Sequence, residues 1–227
     1  MKIIAVVPAY NEAKRLGDVL LKLKTKVDGV VVVDDGSRDA TEKVAREMGA
    51  VTLKHIVNRG QGLALRTGTE AALRLGADII VHFDADGQHD DNFIENLIQP
   101  IKNGQAEVVF GSRFLYREQC LPMGRRIVLL VGKVFNMVFL GVSKKITDPQ
   151  SGLRAFNKNA GNWLLNYLTQ DRMAHTSEIL AQIIKSDFMW TEIPVKIKYS
   201  AETLAKGQKG FDGFKIVWQF VRHKLHR

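Results

Sequence analysis

Five short apolar runs, each separated from the next by a stretch with helical spacing, constrain the fold of this chain more than any other feature. The runs "KIIAVVPA" (2–9), "GVVVVDD" (29–35), "AVTLKHI" (50–56), "ADIIVHFD" (77–84) and "AEVVFGS" (106–112) are rich in Val and Ile, whose branched side chains suit a pleated sheet. Between them, 12–26, 39–49, 60–76 and 91–103 space their apolar residues as amphipathic helices do. Asp39 and Asp90 or Asp91 stand where N-caps belong, and Gly49, Gly76 and Gly104 lie just past the predicted helix ends. Strand, helix and parallel strand in succession make a right-handed crossover. The alternation predicts an α/β fold with a Rossmann-like, mostly parallel sheet flanked by helices.

Sheets of this kind bind ligands beyond the carboxyl ends of their strands. Those ends carry Pro8–Glu12, Asp34–Ser37, Asn58–Gly62 and Asp84–Gln88, so the polar clusters of the first half share one rim. Familiar nucleotide signatures are missing. No GxxxxGK[ST] occurs, and "GQGLAL" (60–65) has Leu65 where a dinucleotide fingerprint needs its third small residue. Asp84, Asp86, Gln88, Asp90 and Glu95 fall in the ligand register of a calcium loop, but His89 occupies the position that needs Gly, and a strand precedes the loop. Two carboxylates one residue apart at a strand end can instead share a hard cation that bridges the phosphates of a nucleoside diphosphate.

The second half differs. Residues 127–142 are mainly apolar and lie between basic pairs, yet a spanning helix needs roughly 20 apolar residues. They predict a buried helix or an interfacial helix with basic anchors. "TEIPVKIKYS" (191–200) alternates like a strand. Residues 211–227 set Phe211, Phe214, Trp218, Val221 and Leu225 along one stripe of a basic amphipathic helix, which predicts core contact or membrane-surface binding. The chain has 227 residues, 45% of them hydrophobic, which is enough for a sizeable core. Its net charge of +9 points to a polyanionic partner, although no nucleic-acid-binding motif or aromatic platform is present. A single cysteine leaves no intrachain disulfide, and no signal-peptide pattern opens the sequence.

Seven motifs in order carry a resemblance: "VVPAYNEAKRL" (6–16), "VVVDDGSRDAT" (31–41), "NRGQGLALRTG" (58–68), "DADGQH" (84–89), "VFGSRF" (109–114), "TDPQSGLRAF" (147–156) and "HTSEIL" (175–180). The chain resembles family 2 glycosyltransferases of the GT-A fold, and among them the polyprenol-phosphate sugar synthases of the dolichol-phosphate mannose synthase type. The resemblance implies a GT-A domain over 1–210, with a nucleotide-sugar-binding half at 1–112 and an acceptor half at 113–210. Residues 211–227 form the C-terminal extension. Pro8, Tyr10, Asn11, Glu12, Asp34, Asp35, Gly60 and Asp84 are implied to bind the nucleotide. Asp34 and Asp35 match carboxylates that accept from base and ribose; a carboxylate can take the imino N–H of guanine or of uracil. Asp84, Asp86 and Gln88 are implied to hold Mg²⁺ or Mn²⁺. Arg113, Arg125, Arg126, Ser151, Lys206 and Lys209 are implied on the acceptor-phosphate side, with Asp86, Arg113 and Glu178 as catalytic residues. Asp148, Ser151 and Gly152 match a segment that shapes the acceptor side, and Arg154 reads as structural.

The implied reaction is an inverting transfer from a nucleotide-sugar, GDP-mannose or a UDP-hexose, to a polyprenyl or dolichyl phosphate. The implied setting is the cytoplasmic face of the membrane: a peripheral protein on an anionic surface, with or without a membrane-protein partner. The lid segment departs from the family pattern, because the Arg and Ser of related enzymes are missing around Lys206 and Lys209. A saccharide hydroxyl acceptor is the alternative, with Glu178 or His175 as base, and a catalytically silent nucleotide-binding protein is a third reading.

Overall fold

The computed structural model describes residues 1–116, 146–168 and 175–198. In chain order they form β1 (Ile3–Ala9), α1 (Ala13–Leu23), β2 (Gly29–Asp34), α2 (Thr41–Glu47), β3 (Val51–Lys54), α3 (Gln61–Arg74) and β4 (Ile79–His82). A 3-10 turn (Asp91–Phe93), α4 (Ile94–Lys102), β5 (Val108–Ser112), β6 (Arg154–Asn157), α5 (Lys158–Leu165), α6 (His175–Lys185) and β7 (Trp190–Pro194) follow. The five apolar runs are thus β1 to β5, and the four helical stretches contain α1 to α4. Gly49, Gly76 and Gly104 take positive φ at the helix ends, as C-terminal caps do. Asp39 sits one residue further out than a direct cap of α2: its Oδ1 accepts from Thr41 N and its Oδ2 from Ala13 N, so it ties together the starts of α1 and α2. Asp90 accepts from Asn92 N and caps the 3-10 turn that leads into α4.

One sheet runs in the order β3-β2-β1-β4-β6-β5-β7. β1 pairs in parallel with β2 and β4, β2 with β3, and β5 with β7. β6 is antiparallel to both β4 and β5. The sheet is therefore mixed and mostly parallel, and β6 is a strand that the sequence pattern does not predict. Its sequence, Arg-Ala-Phe-Asn, holds no Val or Ile and only two apolar side chains, side by side, so neither an apolar run nor an alternation registers. β7 falls within the alternating stretch 191–200 and starts one residue earlier.

β1 is apolar throughout because both sheet faces are covered. Ile3, Ala5 and Val7 pack with Leu16 and Leu20 of α1 and with Ile94, Leu97 and Ile98 of α4. Ile4 and Val6 face the other way, onto Ala64, Leu65 and Ala72 of α3. A Cβ at Gly68 of α3 would overlap Val6 Cγ1, so glycine lets that helix press against β1. A further cluster joins Phe110 and Phe156 to Leu164, Ile179 and Ile183 of α5 and α6. His82 belongs to this interior. Burial, helped by the Arg154 and His175 charges, pushes its imidazole down to about 3, so it is neutral at physiological pH. Among the described residues no helix is long and apolar enough to cross a membrane.

Candidate active site

The carboxyl ends of β1, β2 and β4 and the amino end of α3 enclose a cleft of about 440 Å³. Pro8, Tyr10 and Glu12 reach it from β1, Asp35 from β2, Asn58, Gly60 and Gln61 from the approach to α3, and Asp84 and Asp86 from β4. The turns around it are laced together. Asn11 adopts φ 54°, a left-handed conformation that Asn tolerates better than most side chains. Its backbone N donates to Ser37 Oγ at 2.9 Å, and its Oδ1 accepts from Arg38 N at 2.9 Å. Glu12 N donates to Thr41 Oγ1, and the Glu12 carboxylate pairs with Arg15 at 3.0 Å. Tyr10 is exposed at the cleft mouth.

The two adjacent acids after β2 do different things. Asp34 is buried, accepts from Ser37 N at 2.9 Å, and leaves Oδ2 without a hydrogen bond, with Lys54 Nζ 4.0 Å away. Asp35 reaches across to the loop before α3. Its Oδ1 accepts from His55 Nδ1 at 2.7 Å and Arg59 N at 2.9 Å, and its Oδ2 accepts from Gly60 N at 2.7 Å. Gly36 (φ 74°) lies beneath this loop, and a Cβ there would come within 2.7 Å of Asn58 N and Val57 C.

Asp84 and Asp86 leave β4 in different environments. Gln61 Nε2 donates to Asp84 Oδ1 at 2.7 Å, and His89 Nε2 lies 2.9 Å from Oδ2. Burial alone would raise the Asp84 carboxyl, but the His89 hydrogen bond and the His89, Arg154 and His175 charges outweigh it, and the net shift is downward. Asp86 goes the other way. Burial and the neighbouring Asp84 charge push its carboxyl above the ordinary value; the Gln88 backbone bond opposes this, and Glu12 adds to the repulsion. Gln88 turns back on Asp86, its backbone N donating to Oδ1 at 2.9 Å and its amide to Oδ2. The loop is braced from outside by Lys198 N donating to Gln88 O at 2.7 Å and by a bridge between His89 and Ile197.

Gly152 sets how close the backbone before β6 comes to Asp84. A Cβ there would overlap Asp84 Oδ2 and stand 3.1 Å from Cγ and 3.2 Å from Oδ1. Gly152→Ala must therefore displace the carboxylate. Turnover is expected to fall about a hundredfold, the cost of a misplacement near 1 Å. Circular dichroism and the melting temperature should stay close to wild type. Undiminished turnover in this variant would show that the seat of Asp84 does not matter.

Arg113, at the end of β5, is buried, and its fork closes on Asp148: Nε to Oδ2 and Nη2 to Oδ1, both at 2.6 Å, with Arg113 N also donating to Oδ2 at 3.0 Å. Glu192 of β7 holds the same segment by accepting from Thr147 N, Thr147 Oγ1 and Asp148 N. Ser151 is buried with its Oγ unpartnered, while its carbonyl accepts from Arg154 Nε and Nη2 at 2.9 and 2.7 Å. Arg154 is the largest fully buried side chain; burial lowers its guanidinium to about 10 against the pull of Asp84 and Asp148, so it stays cationic under the site. Glu178 is half-buried in the first turn of α6, and neither it nor buried His175 lines the cleft.

The structure thus brings Pro8, Tyr10, Glu12, Asp35, Gly60, Asp84 and Asp86 onto one cleft. Asn11, Asp34 and Gln88 support its walls, and Arg113, Ser151 and Glu178 are not among the residues that line it. Arg125, Arg126, Lys206 and Lys209, the apolar stretch 127–142 and the extension 211–227 lie outside the described residues. Sequence reasoning missed Gln61, His89, His55 and Glu192. Gln61, His55 and Glu192 act through partners twenty or more residues away, and His89 reaches Asp84 only because the loop between them folds back, so no local signal marks them.

A polar cleft at the strand ends with an Asp-x-Asp, on a mixed, mostly parallel sheet, defines the GT-A class of fold. The model of glycosyl transferase family 2 matches residues 4–163, and this chain belongs to that family. It is 36% identical to the UDP-N-acetylglucosamine–dolichyl-phosphate N-acetylglucosaminyltransferase of Methanococcus voltae, over 98% of this chain and 96% of that protein. It is 33% identical to the human dolichyl-phosphate beta-glucosyltransferase, over 83% and 67% respectively. Among solved structures, glucosyl-3-phosphoglycerate synthase from Mycobacterium tuberculosis, in complex with Mn²⁺, UDP and glucosyl-3-phosphoglycerate, superposes with a TM-score of 0.66 at 21% identity. The match covers 90% of this chain and 75% of that one, and the likeness concerns the fold.

Proposed function

We propose that the protein transfers a sugar from a nucleotide-sugar to a polyprenyl or dolichyl phosphate, with inversion at the anomeric carbon. The observation that carries the reading is the single cleft in which Asp84 and Asp86 face Glu12, Asp35 and the amino end of α3. The lipid-phosphate acceptors named for the relatives in Methanococcus and human support the acceptor class.

The rim fits a divalent cation. Asp86 is held above its ordinary value by burial and by Asp84, a repulsion that bound positive charge relieves. Among the described residues no group of three or more His, Cys, Asp or Glu forms a complete cage, so diphosphate oxygens would complete the ligand set. Asp84, Asp86 and Gln88 would hold Mg²⁺ or Mn²⁺, which neutralises the departing diphosphate. Asp84 is already oriented by Gln61 and His89 for that task. Asp35 and Gly60 position the nucleoside, with Pro8, Tyr10 and Glu12 on the facing wall.

In the transfer itself, an oxygen of the lipid phosphate bonds to the anomeric carbon as the bond from that carbon to the diphosphate oxygen breaks. The acceptor is anionic near neutral pH and needs no general base. Arg113, with Arg125, Arg126, Lys206 and Lys209 from the sequence, is proposed to serve the acceptor phosphate. Residues 113–210 would then form the acceptor half, and the basic apolar segments 127–142 and 211–227 would contact the membrane surface.

A panel of UDP- and GDP-sugars with Mn²⁺ and short polyprenyl phosphates, presented in anionic and neutral vesicles, tests the reading. Transfer to lipid phosphate, faster on anionic vesicles, is expected. Transfer to saccharides alone would replace the acceptor assignment, and indifference to vesicle charge would remove the surface-binding role.

A further inference from the structure

Asp35 has less to offer a ligand than its place in the cleft suggests. A carboxylate has two oxygens and about four lone-pair sites. Three N–H groups of the protein converge on Asp35: His55 Nδ1 and Arg59 N on Oδ1, and Gly60 N on Oδ2. Three donors suit the ionised carboxylate, and His55 Nδ1 is then a donor whatever the charge of the ring. Oδ1 is full. Oδ2 keeps one acceptor position, on a residue that lines the cleft.

The three donors are locked in place. His55 Nε2 lies 3.1 Å from Thr67 Oγ1 of α3, which fixes the plane of the ring. The loop that carries Arg59 and Gly60 runs close over β2's end, where only a glycine fits: a Cβ at Gly36 would come within 2.7 Å of Asn58 N and Val57 C. A single acceptor matches one kind of base edge. Uracil presents one imino N–H between two carbonyl oxygens. Guanine presents its imino N–H and amino group side by side, and a carboxylate satisfies both only as a fork with both oxygens open. Cytosine and adenine can offer only an exocyclic amino N–H, and the ring-nitrogen lone pair beside it would turn toward the Asp35 lone pair. A buried donor left unpaired costs more than the bond it fails to make.

We propose that this cleft selects a uracil nucleotide over guanine, and that His55 is the positioning residue that sets the choice by occupying the second oxygen of Asp35. The inference rests on the nucleotide-sugar reading above and specifies its donor as a UDP-sugar.

Titration calorimetry of the full chain with UDP, GDP, CDP and ADP in the presence of Mn²⁺ tests it. UDP is expected to bind about tenfold or more tightly than GDP, one hydrogen bond's worth of discrimination. CDP and ADP should bind more weakly than UDP. His55→Phe opens a position on Oδ1, and the preference for UDP over GDP should fall severalfold. His55→Asn, whose amide can still donate, should keep the preference. GDP binding as tightly as UDP in the wild type, or an unchanged ratio in His55→Phe, overturns the base assignment while leaving a glycosyltransferase. Failure of every diphosphate to bind overturns the nucleotide-sugar reading itself. The wild-type panel decides the base even if the Phe variant does not fold.

Discussion

Asp86→Asn is expected to lower transferase turnover on the order of a thousandfold, the scale of losing a preorganised electrostatic contact at a site of developing charge. The melting temperature should stay the same or rise slightly. The two readouts move apart for one reason. Asp86 is a carboxylate that the fold disfavours: burial and the Asp84 charge raise its pKa, with Glu12 adding to the repulsion. A raised carboxylate pKa means that the ionised form costs folding free energy above that pKa, so a neutral amide of the same shape relieves a strain. The charge is kept for the cation and diphosphate proposed to bind there. Kinetics with Mn²⁺ in excess, alongside thermal melts without nucleotide, separate the effects. Near-normal turnover in this variant would end the metal assignment; a large drop in melting temperature would mark Asp86 as structural.

Asp148→Ala is expected to cost about 3 kcal/mol of stability, the scale of removing a charged acceptor from a buried, hydrogen-bonded guanidinium. Asp148 and Arg113 side chains are 1% and 7% exposed, and the variant strips the acceptor from three Arg113 N–H groups at once. For a chain of this length the melting temperature should fall by on the order of 10 °C. The double variant Arg113→Met with Asp148→Leu should recover part of that loss, because the guanidinium that has lost Asp148 is removed with it. A shift of only a degree or two in the single variant would show that Arg113 finds another counter-charge. The pair also bears on the proposed acceptor side: Glu192 holds Thr147 and Asp148, and Asp148 holds Arg113, so β7 positions the guanidinium through two intermediates.

Much of this was legible in the residues. A Val- and Ile-rich run of seven or eight residues has few conformations open to it, and β1 to β5 fall where such runs lie. Parallel strands put their carboxyl ends on one side, so the clusters after β1, β2 and β4 had to share a rim before any coordinates were known. β6 was not legible. It is four residues long, begins with an arginine, and enters between β4 and β5 in the antiparallel sense.

The order of the apolar runs and the residue types at their ends determined the α/β class, the polar rim and the family to which the chain belongs. Only the tertiary structure decided what each polar group on that rim is free to do. Asp34 and Asp35 are neighbours and look alike in sequence, yet one closes its own turn while the other is held by His55, Arg59 and Gly60 from twenty or more residues away. Asp84 and Asp86 are as similar, yet Gln61, His89 and Arg154 favour the charge on the first, while burial and its neighbour oppose the charge on the second. A side chain's chemistry is local, but the donors and charges that tune it arrive through sheet register and loop packing, which no single stretch of sequence contains.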